Sequence, residues 1–139
     1  MQHLWGRVAV ITGAGSGIGR GIAFACLRYQ MKLVLADIEP EALSRVVGEI
    51  SAAGGEVVGL VTDVSDPMSV NRLAESAFDR HGAVHLLCNN AGVIDNNQPS
   101  WACSSADWQW VLGVNLMGVV HGLGAFVPWM LRMATTDTL

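Results

Sequence analysis

Along residues 7–88, short apolar, β-branched runs alternate with stretches whose apolar residues recur at helical spacing, and few folds accept that alternation. Residues 7–12 read as a strand, followed by a glycine-rich turn and a helix over 18–29. Residues 33–36 form a second apolar run ending at Asp37, and 39–52 are amphipathic, with Pro40 suited to a first helical turn. Residues 56–61 read as a third strand, 66–80 as a helix opened by Pro67, and 84–88 as a fourth strand. A strand, a helix and a following parallel strand cross over right-handedly. The expected fold is therefore α/β, a Rossmann-type doubly wound parallel sheet of about four strands with flanking helices. Its near-continuous apolar strands suit burial on both faces. Residues 1–139 read as a single domain.

With 51% hydrophobic and 14% charged residues, the chain has material for a core and lacks the composition of a disordered segment. Its net charge of −4 and singly scattered Arg residues provide no basic stripe, so no nucleic-acid partner is expected. Cys26, Cys88 and Cys103 are widely spaced and form no Cys-x-x-Cys pair, which argues against a disulfide framework or a zinc site. His81 and His85 have metal-like spacing, but Gly82 separates a helix end from a strand start there, and no metal is expected. A cytoplasmic setting, without a secretory signal, fits best.

Residues 93–104 read as a surface loop, with Ser105 or Asp107 available to cap the apolar helix beyond it and Pro128 placed to kink that helix. Residues 108–131 contain no Asp, Glu, Lys or Arg and carry Gly118-x-x-x-Gly122, a small-residue spacing also found in membrane helices. Asn115, His121 and Pro128 weigh against a membrane span, and none is expected. Trp101, Trp108 and Trp110 suit packing beside the loop, or a substrate pocket. The tail, 134–139, shows no pattern.

The chemistry concentrates in Thr12-Gly13-Ala14-Gly15-Ser16-Gly17-Ile18-Gly19, where a strand hands over to a helix. Glycines there let the main chain approach a pyrophosphate, whose charge the free N–H groups of a helix start attract. Asp37, about 20 residues beyond the glycines at the end of the second strand, can accept hydrogen bonds from ribose hydroxyls, or simply cap the next helix. A carboxylate within ~4 Å of a 2′-phosphate would cost on the order of 4 kcal/mol at an effective dielectric near 20. Asp37 therefore favours NAD over NADP.

In this order of motifs the chain resembles the short-chain dehydrogenase/reductase family, whose glycine motif is T-G-x-x-x-G-x-G. Asp63-Val64 after the third strand resembles the family's adenine-contacting Asp and its neighbour. Asn89-Asn90-Ala91-Gly92 after the fourth resembles its N-N-A-G, which braces the sheet and approaches the cofactor. The resemblance implies an NAD-dependent oxidoreductase acting on a small alcohol or ketone. Gly13, Ser16, Gly17, Ile18, Gly19, Asp37, Asp63, Val64, Asn90, Ala91 and Gly92 would hold NAD, and Asn115 would match the helix Asn of the catalytic set.

That set also needs a Ser, a Tyr and a Lys four residues after the Tyr. Here Tyr29 and Lys32 are the one Tyr and one Lys, three apart and before the second strand, so they cannot substitute. The expectation is a truncated cofactor-binding half, inactive alone, or else a non-catalytic NAD-binding or dimerisation module. Its sheet should stop at an open edge, and it should associate as a homo-oligomer through the helix around 107–133, with Phe126 and Trp129 exposed in a monomer.

Overall fold

A computed structural model describes residues 3–95 and 97–136. Four strands, β1 (Val8–Thr12), β2 (Lys32–Asp37), β3 (Val57–Val61) and β4 (Leu86–Cys88), form one sheet in the order β3-β2-β1-β4. Every pairing is parallel, with Thr12 opposite Ala36 and Ile11 opposite Cys88. The crossovers are α1 (Gly17–Arg28), α2 (Pro40–Ala52) and α3 (Pro67–His81); beyond β4 come α4 (Ser105–Leu112) and α5 (Gly118–Thr136). The expected α/β doubly wound sheet is present, each element starting or ending within two residues of its expected position up to β4.

Alternation along the strands sorts the core into two layers. Ala9, Ile11, Leu33 and Leu35 point to a cluster shared with Ala23 and Cys26 of α1 and Leu43, Val46 and Ile50 of α2. Val8, Val10, Val34 and Ala36 point the other way, to Val70, Leu73 and Ala77 of α3 and Phe126 of α5. β1 is buried throughout, whereas β4 has three residues, all half-buried, and pairs on one side with β1. The chain builds outward from β1 through β2 to β3, then returns to β1's other side. The carboxyl ends of β1 and β4 thus flank a topological switch point, where ligands of such sheets bind.

Several expectations about the last helix change. Ser104, rather than Ser105 or Asp107, is the N-cap: its side chain accepts from the Asp107 N–H while the Asp107 carboxylate accepts from the Ser104 N–H. Between α4 and α5 lies a π turn, Gly113–Met117. Pro128 stands inside α5, which continues past it to Thr136, so part of the patternless tail is helical; 137–139 lie outside the described residues. Phe126 is fully buried and faces the Phe78 ring at 6.1 Å, against the expectation that it is exposed; Trp129 is half-exposed.

The Gly118-x-x-x-Gly122 spacing has a packing explanation. A Cβ on Gly118 would lie 2.7 Å from Val64 Cγ2, and one on Gly122 would collide with the Asn89 amide, so both glycines let α5 lie against the loops at the carboxyl ends of β3 and β4. His121 Nδ1 reaches the Val64 carbonyl at 2.8 Å, tying the same helix to the same loop. The helical stretch Ser105–Ala134 is nevertheless long and apolar enough to cross a membrane by length and composition.

Candidate cofactor site

Loops from the carboxyl ends of all four strands converge on a cleft of about 610 Å3, within the size range of cofactor pockets. Its floor is set by Thr12 and Asn90. Thr12 Oγ1 accepts from the N–H groups of Asn90 (3.0 Å) and Ala91 (3.1 Å), and Asn90 Nδ2 donates to the carbonyls of Thr12 (3.1 Å) and Gly13 (3.3 Å). These bonds stitch the end of β1 to the end of β4 and fix the height at which a ligand can lie. Thr12 thus has a bracing role that its place in the glycine motif does not by itself reveal.

Gly13 follows with φ +64°, and a Cβ there would lie 2.8 Å from Ala91 Cα, so the position needs glycine on both counts. Gly19 does not line the cleft. It is buried beneath it, where a Cβ would strike the Gly13 carbonyl, and it sets how closely α1 approaches the loop. Gly17, with φ +54°, opens onto free space. Ser16, the N-cap of α1, makes no side-chain cap bond, and the helix's first turn holds no acidic residue. The N–H groups and the positive end of the helix dipole are therefore left for an outside anion.

Asp37 sits beside this opening. Its Oδ2 accepts from Gly15 N–H at 2.8 Å and its Oδ1 from Glu39 N–H at 2.9 Å, so one carboxylate positions both the glycine loop and the start of α2. The capping alternative for Asp37 does not hold, because the N-cap of α2 is Glu39; the Asp37 carboxylate accepts from that residue's N–H, and each oxygen can accept a further hydrogen bond from a ligand. Asp63 Oδ1 accepts from both N–H and Oγ of Ser65 (3.0 and 2.6 Å), while Asp63 N–H donates to Ser69 Oγ. This closes a tight turn at the end of β3.

Of the residues expected to hold the cofactor, Gly13, Ser16, Gly17, Ile18, Asp37, Asp63, Val64, Asn90, Ala91 and Gly92 line the cleft. Ile38, Glu39, Thr62, Ser65, Val93 and Val114 also line it and escaped the sequence reading; Trp110, for which a pocket role stood beside packing, lines it as well. Ile38, Thr62, Ser65 and Val93 each adjoin a motif residue and Glu39 is two beyond Asp37, and that proximity was the available signal. Trp110 and Val114 arrive from α4 and the π turn. Asn115 is not on the lining. Both ends of its amide grip the backbone of Val93, accepting from the N–H (2.7 Å) and donating to the carbonyl (2.8 Å). It holds the loop after β4 from inside a π turn, a distortion frequent at functional sites.

The other candidates separate. His85 Nδ1 accepts from Val8 N–H at 2.9 Å, whereas His81 faces Glu56 across 4.0 Å, so the two rings have different partners. Asp95, Cys103 and Asp107 bring one potential ligand atom each within 4.8 Å, but the Asp107 carboxylate is engaged in the α4 cap. Burial pushes the thiols of Cys26 and Cys88 up, and a hydrogen bond with Asp95 does the same for Cys103. These cysteines favour the neutral thiol over the nucleophilic thiolate. Trp101, Trp108 and Trp110 are exposed or half-exposed, which disfavours the packing role expected of them.

A family model described as short chain dehydrogenase matches residues 7–137. The chain belongs to the short-chain dehydrogenase family. It is 40% identical over 132 residues to 1-deoxy-11-beta-hydroxypentalenate dehydrogenase of Streptomyces exfoliatus, covering 94% of this chain and 48% of that protein. It is 36% identical over 125 residues to cyclohexanol dehydrogenase of an Acinetobacter strain, covering 90% and 50%. A short-chain dehydrogenase/reductase from Burkholderia phymatum, solved in complex with NAD, superimposes with a TM-score of 0.92 at 51% identity, over 96% of this chain and 47% of that one. This short-chain dehydrogenase chain thus spans about half the length of the relatives it matches.

Proposed function

We propose that the chain is the cofactor-binding half of an NAD-dependent oxidoreductase that moves a hydride between the cofactor and the carbon of a small alcohol or ketone. The observation that carries this reading is the uncapped, acid-free start of α1 opening beside the Asp37 carboxylate. An anion and a ribose diol are the groups those two features suit. Gly13, Ser16, Gly17 and Ile18 would hold the pyrophosphate, Asp37 the adenosine ribose, Asp63 and Val64 the base, and Asn90, Ala91 and Gly92 the nicotinamide side. When bound, the nicotinamide supplies the hydride acceptor or donor. This chain's residues bind and orient it, with Asn115 fixing the loop on which it rests.

Asp37 and the neighbouring Glu39 present negative charge where NADP would carry its extra phosphate, which supports NAD as the cofactor. Names of relatives such as cyclohexanol dehydrogenase support an alcohol or ketone substrate. We assign the protein to the cytoplasm. It associates with a second copy through the helix around 107–133, where Leu116, Met117, Leu123 and Trp129 are exposed.

A second reading, a non-catalytic NAD-binding or dimerisation module, is favoured by one placement. Lys32 opens β2 opposite Val8, at the end of the sheet away from the cleft, and Tyr29 precedes it, so neither serves as the family's acid/base pair. Calorimetric titration of the 139-residue chain with NADH and NADPH tests the binding shared by both readings. Saturable binding with at least tenfold preference for NADH, narrowed by Asp37→Ser, is expected; equal affinities would remove the NAD assignment. Ketone substrates added with NADH, or alcohol substrates added with NAD+, should give no turnover with this chain alone, and turnover would overturn the inactive half. Sedimentation equilibrium of the same sample should show dimers.

A further inference from the structure

We infer that Trp110 forms a wall of the base-binding end of the cleft and stacks against the adenine of the dinucleotide, a role that rests on the cofactor reading above and adds a residue to it. Trp110 lines the cleft from α4, together with Val114. Its indole is half-exposed and, among the described residues, has no ring or hydrogen-bond partner; Trp129, by contrast, lies 5.6 Å from the Phe78 ring. A large aromatic face beside an open cleft leaves apolar area to be covered by a planar ligand.

The contacts of the helix decide which end of the cleft Trp110 serves. A Cβ on Gly113 would be 3.7 Å from Ser65 Cβ, Gly118 lies on Val64, and Asn115 turns to Val93. At about 100° per residue along α4, Trp110 lies within roughly 60° of Gly113, where the π turn begins, and Val114 lines the same cleft from inside that turn. Trp110 therefore shares the side that faces the β3 loop, Asp63 to Ser65, rather than the β4 loop.

The strand order fixes what sits there. With the pyrophosphate at the start of α1 and the ribose at Asp37, the next group outward, over β3, is the base. Exposed Ile38 lines the same end of the cleft, so the base has apolar surface from two elements, one aliphatic and one aromatic. Stacking of a base on an aromatic side chain depends on the π face and tolerates any substituent pattern, so Trp110 adds affinity without replacing Asp37 as the selector of cofactor.

Calorimetry with three probes tests the inference: NADH, ADP-ribose, which lacks the nicotinamide, and reduced nicotinamide mononucleotide, which lacks the adenosine. Trp110→Ala should weaken NADH and ADP-ribose about tenfold, within the range of base–aromatic stacking, and leave the mononucleotide unchanged. Trp110→Phe should stay within about threefold of the parent, and Trp129→Ala should match it. ADP-ribose should also quench the parent's tryptophan fluorescence more than that of Trp110→Phe, a readout that survives if the alanine variant fails to fold. Unchanged ADP-ribose affinity in Trp110→Ala, or an equal loss for the mononucleotide, overturns the inference. A parent that binds neither NADH nor ADP-ribose overturns the cofactor reading itself, and this inference with it.

Discussion

The two flanks of the sheet are built differently. On the β1–β2 side, both strands are buried through their centres, α1 and α2 close the layer, and the glycine loop is fixed by Asp37, Thr12 and Asn90. On the β4 side the strand is three residues long, one edge is open, and the helical stretch beyond it carries exposed Leu116, Met117, Leu123 and Leu131. The end of the cleft at the glycine loop and Asp37 is thus fixed by several contacts within this chain, while the β4 end leans on a thin edge and a half-covered helix. Binding and catalysis are separable in such a sheet.

The largest effect that would sharpen this contrast is expected at Gly13. Alanine there must adopt φ +64° and place its Cβ 2.8 Å from Ala91 Cα. Left-handed backbone costs about 1–2 kcal/mol and overpacking typically 1–3 kcal/mol more. Gly13→Ala should therefore lose about 3 kcal/mol in urea unfolding, together with NADH binding. A variant as stable as the parent would mean that the β1–β4 junction is looser than its hydrogen bonds imply.

A smaller effect probes the open flank through two glycines of α5. Gly122→Ala pushes into Asn89 and should cost about 2 kcal/mol, whereas Gly124 faces open space, and alanine there should add up to ~1 kcal/mol through helix propensity. Opposite signs two residues apart would establish that α5 is seated on the β4 loop through one narrow seam. Equal effects in urea titrations would show that the seam is not closely packed.

What the sequence made legible follows from how each part is encoded. The glycine loop, Asp37, Asp63 and Asn90 act through backbone shape and single polar groups at strand ends, so their identities and spacing reveal them without knowledge of packing. Trp110 and Val114 enter the cleft because α4 crosses the β3 loop, and nothing local marks that crossing. Phe126 shows the same limit. Its exposure was expected from assigning the helix around 107–133 to contact with a second copy, and nothing local marks which face of that helix packs into the layer of α3. The sequence reading placed Phe126 outside; the structure puts it in the core against Phe78.

The smallest effect lies at the end of the sheet opposite the cleft, where His81 closes α3. Its side chain is 4% exposed, and its Nε2 is buried without a hydrogen-bond partner among the described residues. Burial lowers its pKa below 6.5; Glu56 opposes that shift, and Lys32 and Arg80 add to it. Protonation would put a second N–H donor where no acceptor waits. Because the folded pKa lies below the unfolded value, the unfolded chain takes up the proton first as pH falls. Stability is therefore whole above about pH 6.5, declines below it, and stops declining once folded His81 also protonates. Urea midpoints at pH 7.5 and 5.5 should separate less in His81→Asn than in the parent. NADH affinity at pH 7.5 should be the same in both, since the imidazole sits at the amino ends of the strands and the cleft at their carboxyl ends. An affinity that moved with His81 would mean that the two ends of the sheet are coupled, and the division between a self-contained binding end and the rest of the molecule would have to be redrawn.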